Sequence, residues 1–324
     1  MSRSTIFIGV ASYKDPLLAH TVLHALEQAK DKSRIRFGVV DQCEPSSQWG
    51  RMDPAVSRQI HYLWVDPLRA RGTCFARALT HTLYHGETIY LQIDAHMHFP
   101  LHWDQWVEDV LFDRMAITPR CVVSSYPPSM VKDARGEWTI EGHPPQTVVT
   151  HRVNENAAFG GRGIYLDFGA WTHHGRTEPI RGHHVAGGMM IAPGSFIEQF
   201  PYDPQLYYLG EEQMLALRLY THGWTIWHPV DNPIGHRYND HQNPEIRPVH
   251  WSDDPNGERP ISHLVWENRS YTRQRYLVGL QGYGGVYGLG SIRTVQDFAT
   301  EFGVDYLRRS INYDIARSLP AEER

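Results

Sequence analysis

Residues 88–99 read TIYLQIDAHMHF. Positions 88–93 are β-branched, aromatic or apolar, apart from Gln92. The run is too short for a core helix and too continuous for a half-exposed strand, so it reads as a strand buried on both faces. It stops at Asp94, which Ala95, His96 and His98 follow. In open α/β sheets ligands bind beyond the carboxyl ends of the strands. The reading of the fold and the search for a site therefore start at the same place.

Working outward, 5–11 (TIFIGVA) is a second buried strand, and Asp15-Pro16 after it is a helix start. Leu18, Val22, Ala25, Leu26 and Ala29 then recur at helical spacing. Strands are expected at 35–40, 60–65 and 121–125, and helices at 71–85 and 103–115. Phe75, Ala78, Leu79 and Leu83 form the stripe of the first of these helices, and Gly86 stops it. Strands alternating with helices specify an α/β domain with a mostly parallel sheet covered on both faces. Residues 126–184, with Pro127-Pro128, Pro144-Pro145, Gly160-Gly161 and His173-His174, show little period and are expected to be a binding loop or lid. A strand follows at 185–191, a helix at 210–222 and a strand at 224–229. Residues 239–258 read as a linker and 259–324 as a helical tail, most clearly over 304–318. The expected division is a main domain over 1–240 and a linker with a helical extension over 241–324.

The chain has 324 residues and a net charge of -5, with 41% hydrophobic residues. That composition supports a core and argues against disorder or general nucleic-acid binding. Cys43, Cys74 and Cys121 are too few for a disulfide framework and too scattered for a zinc cluster. No apolar run approaches the roughly 20 residues of a membrane span, and the first strand begins too early to leave room for a signal peptide. The expectation is a cytoplasmic protein.

Four places could hold chemistry. Asp94 and His96 can reach one cation, and mixed oxygen and nitrogen donors suit Mn²⁺ or a relative. Their alternative is a capped strand end with a solvated histidine. His236, in Gly235-His236-Arg237-Tyr238, could supply a third ligand or be an ordinary loop residue. Among the 20 histidines, His151, His173, His174, His183, His184, His222 and His241 compete locally and read as polar loop residues. Arg71 and Arg77 flank a helix start, where the dipole favours phosphate; they could equally pair with carboxylates on a solvated face. Glu211 and Glu212 open the helix after Gly210, either as caps or as carboxylates meeting sugar hydroxyls or a cationic transition state. There is no P-loop, G-x-G-x-x-G, G-x-S-x-G or H-E-x-x-H.

The order of the pieces is more specific than any one. VASYKDP at 10–16, RGTCFAR at 71–77, LQIDAHMHF at 91–99, HWD at 102–104, AGGMMIAPGSF at 186–196, YLGEEQMLALRLYTHGW at 208–224 and GHRYN at 235–239 together resemble the protein-hydroxyproline N-acetylglucosaminyltransferases and their bacterial relatives. They are more distantly similar to the mucin-type polypeptide N-acetylgalactosaminyltransferases. The resemblance implies a GT-A glycosyltransferase fold with a Rossmann-like mixed sheet flanked by helices. It implies a UDP-N-acetylglucosamine or related UDP-hexose donor, a divalent metal (Mn²⁺, with Mg²⁺ as the alternative) and a retained anomeric configuration. It implies Asp94, His96 and His236 as metal ligands, Arg71, Arg77, Ser12 and Asp15 as nucleotide contacts, Gly187 and Gly188 as the sugar and acceptor floor, and Glu211 and Glu212 as sugar-site carboxylates. The acceptor (glycan, peptide or lipid-linked) has no motif here. A His-rich metallohydrolase and a non-catalytic carbohydrate-binding protein are the rival readings.

Overall fold

The computed structural model describes residues 4–44, 58–160, 163–238, 247–254, 257–279 and 284–319. The quoted strand lies inside an eight-stranded mixed sheet. Strand β1 (Ile6–Tyr13) runs parallel to β2 (Ile35–Gln42) and to β4 (Ile89–Ile93), and β2 runs parallel to β3 (Ile60–Trp64). On the other side of β4, β12 (Met189–Pro193) runs antiparallel, followed by β6 (Cys121–Ser124), β13 (Thr225–His228) and β11 (Ile180–Gly182). The parallel half is the expected one, whereas the antiparallel β12 makes the sheet mixed.

Alternate side chains of β1 feed two cores. Ile6, Ile8 and Val10 pack with α1 (Leu18–Gln28) and α3 (Trp103–Ile117), where Trp103, Val107 and Leu111 are fully buried. Phe7 packs on the opposite face, in the cluster holding α4 (Phe196–Gln199) and α5 (Glu211–Thr221). The α1 stripe of Leu18, Val22, Ala25 and Leu26 is the apolar face foreseen from spacing. Leu18, Val22 and Leu26 each contribute about 1.5–3 kcal/mol by leaving water, and Ala25 less. Helix α2 (Thr73–His81) starts at Gly72. Its φ of +90° favours glycine, and a Cβ there would lie 2.4 Å from the Tyr207 ring, so no other residue fits.

Residues 126–184 are more ordered than their composition suggested. They contain a hairpin of β7 (Ser129–Lys132) and β8 (Trp138–Glu141) and another of β9 (Val148–Val153) and β10 (Phe168–His173). The first hairpin joins β5 (Met97–His98) and β14 (Gly235–His236) in a four-stranded sheet of order β5-β14-β7-β8. The period was invisible because these strands are only four to six residues long and separated by Pro- and Gly-rich turns.

The tail also departs from expectation. Helix α6 (His263–Gly279) is present, and α7 (Val295–Phe302) carries a capping box between Thr294 and Asp297. Residues 304–318 are not one helix. Gly303, at φ +73°, ends α7, and β15 (Val304–Asp305) pairs with β16 (Ser310–Ile311) before the short α8 (Tyr313–Ala316). Leu277, Val278, Val295 and Phe298 share a hydrophobic cluster with Leu219 and Tyr220 of α5. Among the described residues no helix is long and apolar enough to cross a membrane.

Candidate functional site

A cleft of about 480 Å³ opens beyond the carboxyl ends of β1, β2 and β4. Asp94, His96 and His236 meet on its wall. Antiparallel pairing of β5 with β14 sets Met97 opposite His236, and the backbone N–H of His236 donates to Pro128 O at 2.9 Å. This brings residues 140 positions apart into contact. His96 Nε2 lies 2.9 Å from His236 Nε2, and Asp94 Oδ2 lies 3.2 Å from His236 Nε2 and 3.8 Å from His96 Nε2. Donors sharing one ion at about 2.1 Å, with angles of 90–109°, sit roughly 3.0–3.4 Å apart. The separations of 2.9 and 3.2 Å match that spacing and the 3.8 Å between Asp94 and His96 is wider, so a small turn of one side chain completes one face of a coordination shell; one carboxylate with two imidazoles suits a borderline divalent ion.

The electrostatics agree. Burial alone would raise the Asp94 carboxyl. The His236 hydrogen bond, His96 and Arg77 outweigh that and hold it below the usual carboxylate range. Burial pushes the His236 imidazole down to about 4, so it stays neutral with a lone pair to offer. His96 Nδ1 donates to Asp15 Oδ2 at 2.8 Å, the carboxylate–histidine arrangement that fixes the tautomer of a metal-binding ring. Asp15 thus stands behind His96 in this structure; it also lines the cleft and caps the chain at Leu17 N, 2.9 Å away.

Arg77 is buried and both of its terminal nitrogens are bonded. It bonds Glu211 Oε1, Gly187 O at 2.7 Å and Asp94 Oδ1 at 3.3 Å. The guanidinium ties together the helix start, the 187–188 turn and the strand end. Arg71 is not brought to the cleft. It is exposed, with its guanidinium 5.0 Å over Phe75 and 5.3 Å over Trp266. Gly187 and Gly188 line the cleft, and a side chain on either would displace the groups beside it. A Cβ on Gly188 would come within 2.8 Å of Asp94 Oδ2, and one on Gly187 within 2.7 Å of Arg77 Nη1.

The two adjacent glutamates divide. Glu211 is buried, paired to Arg77, with the Cys74 thiol 2.8 Å from Oε2; burial raises its carboxyl despite Arg77. Glu212 accepts the Gly187 N–H at 2.5 Å and keeps 28% of its side chain exposed to the cleft. It is the carboxylate a ligand can meet.

Ser12 and Gln42 line the cleft, and among the described residues Ser12 Oγ and Gln42 Oε1 are buried without a hydrogen-bond partner. Gln42 escaped the sequence reading, although it ends β2 as Asp94 follows the end of β4, so the same strand-end rule reaches it. Arg247 was also missed. Its Nη1 lies 3.4 Å from Asp15 Oδ2 and against His96 Nδ1. With Pro248, Val249, His250 and Trp251 it lines the cleft, so these residues of the expected linker are cleft wall. No local pattern marks them. Tyr208 and Trp251 stack at 4.7 Å on the rim.

Of the competing histidines, His151 lies in β9 and His173 ends β10, whereas His174, His183, His184 and His222 lie in turns and loops as expected. His151, His183 and His184 are buried core. His184 stacks on Phe168 at 4.0 Å and His183 on Phe302 at 4.7 Å. His173, His174 and His222 are partly or largely exposed. Asn239 and His241 lie outside the described residues.

Residues 5–57 and 51–308 match the glycosyltransferase (GlcNAc) family model, nearly the whole chain, and the chain belongs to that family. Two solved structures are similar. GalNAc-T7, solved with UDP, GalNAc and Mn²⁺, aligns at a TM-score of 0.51 and 15% identity, over 73% of this chain and 44% of that one. S. aureus TarS 1–349 aligns at 0.41 and 11%, over 70% and 60%. This chain thus spans less than half the length of the GalNAc-T7 chain. The fold is the GT-A glycosyltransferase fold. No curated protein matches.

Proposed function

We propose that this member of the glycosyltransferase (GlcNAc) family moves N-acetylglucosamine, or a close hexose, from a UDP-sugar to an acceptor hydroxyl with retention of configuration. The observation that carries the reading is the convergence of Asp94 Oδ2, His96 Nε2 and His236 Nε2 on the wall of a cleft. GalNAc-T7, which shares the fold, was solved with UDP and Mn²⁺.

Asp94, His96 and His236 would hold Mn²⁺, which as a Lewis acid offsets the charge on a diphosphate leaving group. Asp15 orients the His96 ring, and Arg77 holds the second oxygen of Asp94. Arg247 brings a guanidinium to the same edge, and a planar guanidinium suits phosphate oxygens. Ser12 and Gln42 meet the nucleobase. Gln42 Oε1 accepts from a ring N–H and Ser12 Oγ donates to a ring carbonyl, a pairing that uracil satisfies and that relieves two unpartnered buried atoms. Glu212 meets the sugar, where a carboxylate steadies developing positive charge. Glu211 serves this site by holding Arg77. The acceptor hydroxyl enters on the face from which the diphosphate departs, so its proton can pass to the leaving group without a dedicated protein base.

The test is incubation with UDP-N-acetylglucosamine, Mn²⁺ and a panel of glycan, peptide and lipid-linked acceptors. Release of UDP that accelerates with one acceptor class, and an α-linked product by NMR, are expected. A β-linked product overturns retention. Equal release with and without acceptor indicates hydrolysis, and failure of the folded protein to bind any UDP-sugar with metal present overturns the transferase reading.

A further inference from the structure

A second group of histidines lies where the cleft makes no use of it. Helix α1 places His20 and His24 one turn apart on one face, and β5 sets His98 against them. His20 Nε2 lies 3.3 Å from His98 Nδ1, with the rings within 13° of parallel. His24 stacks on His98 with centroids 4.0 Å apart. One nitrogen from each ring lies within 4.8 Å of the other two. None of the three lines the cleft. Among the described residues, none hydrogen-bonds or ion-pairs with a carboxylate, so no salt bridge explains the assembly.

We propose that His20, His24 and His98 form a second metal site, outside the cleft, for a divalent ion of the zinc, copper and nickel class. Two histidines four residues apart on a helix can present their rings to one point; His20 and His24 stack 5.1 Å apart at 12° and reach that point by tilting, and the third comes from the strand they face. An all-imidazole set with no oxygen donor favours Zn²⁺, Cu²⁺ or Ni²⁺ over Mg²⁺, Ca²⁺ or Mn²⁺. This chemistry differs from that of the cleft trio, which includes a carboxylate. All three residues are partly exposed, so an ion can reach them from solvent and the rings have room to tilt. Partial burial lowers the His20 and His24 imidazoles from their ordinary range, which keeps them in the ligating form at neutral pH. The rings are not equivalent. His24 Nδ1 accepts the Phe99 N–H at 3.2 Å, so His24 joins only by turning its ring and giving up that bond. His20 and His98 carry the site, and His24 strengthens it.

The proposal is independent of any nucleotide. The Asp94→Asn/His236→Ala protein, stripped with a chelator, is titrated with Co²⁺ and Zn²⁺ by visible absorption and calorimetry. One nitrogen-ligated ion is expected to remain. Adding His20→Ala and His98→Ala should remove it, and adding His24→Ala alone should weaken it about tenfold, in line with loss of a supporting partner. The proposal is overturned if the parent double variant binds no ion while folded, or if its ion is indifferent to His20→Ala and His98→Ala. A second measurement uses the unaltered protein: Zn²⁺ should protect His20 and His98 from acylation by diethyl pyrocarbonate, mapped by mass spectrometry. Unchanged acylation of both at saturating Zn²⁺ overturns the proposal regardless of how the variants fold.

Discussion

Two buried histidine neighbourhoods put the same side chain to different uses. In the cleft, His96 and His236 turn their Nε2 atoms toward each other and toward Asp94 Oδ2. In the core, His151, His183, His184 and His228 stack on aromatic rings or bond backbone groups. His151 Nε2 accepts the Tyr126 N–H at 2.9 Å, and His228 Nδ1 donates to Ser124 O at 2.8 Å. Burial lowers the imidazoles of His236, His151 and His228 alike and keeps them neutral. The difference is what the ring nitrogens face. In the cleft they face one another and a carboxylate, whereas in the core the bonded nitrogens of His151 and His228 face backbone groups. Histidine count therefore says little about metal chemistry, and the group each ring nitrogen faces says more.

The largest effect that would test this contrast lies behind the cleft. Arg77→Met strands the buried Glu211 carboxylate, which should cost about 3–5 kcal/mol of stability by urea denaturation. Replacing Glu211 by Leu in the same chain should recover much of the loss. A loss under about 1 kcal/mol would mean that the pair does not hold the cleft together.

Next, Asp94→Asn removes a charged donor from the trio. UDP affinity in the presence of Mn²⁺ should fall roughly 100-fold, the upper end of what changes in supporting residues alone cost, with little change when metal is absent. Equal losses with and without Mn²⁺, by calorimetry, would erase the distinction between the two neighbourhoods.

The core neighbourhood is tested by acid. Burial lowers the His228 imidazole to about 3 from an ordinary 6.5. The unfolded chain therefore binds a proton that the native chain refuses between those values. The stability that His228 lends is complete above about pH 6.5 and declines toward pH 3, at about 1.4 kcal/mol per pH unit for one proton. In His228→Gln that proton uptake is gone, so the gap to the unaltered protein should narrow on going from pH 6 to pH 5, by about 1 kcal/mol. A gap constant with pH would mean that His228 does not titrate on unfolding.

The smallest effect concerns Arg71. Packed over Phe75 and Trp266, it should contribute only about 0.5–1 kcal/mol. Arg71→Ala should leave UDP affinity within about twofold. A loss of tenfold or more would return Arg71 to the nucleotide site and redraw the cleft boundary.

What the chain's own order of residues determined was the parallel half of the sheet and the strand-end position of Asp94 and His96. A buried strand has a local signature, the continuous apolar run, and the rule that ligands gather at strand ends needs no knowledge of distant contacts. The Glu211-Glu212 helix start was legible for the same reason, as a local motif, whereas Gly187-Gly188, expected inside a strand over 185–191, form the turn before β12. Only the tertiary structure decided that His236 joins Asp94 and His96. That meeting depends on β5 pairing with β14 in a small sheet built from strands of two to four residues, too short to carry a period. It also decided the division of labour between Glu211 and Glu212, the retreat of Arg71 and the entry of Arg247, Trp251 and Gln42. In each case the deciding quantity is which group a side chain faces after packing, and sequence spacing along one element does not encode the element across from it.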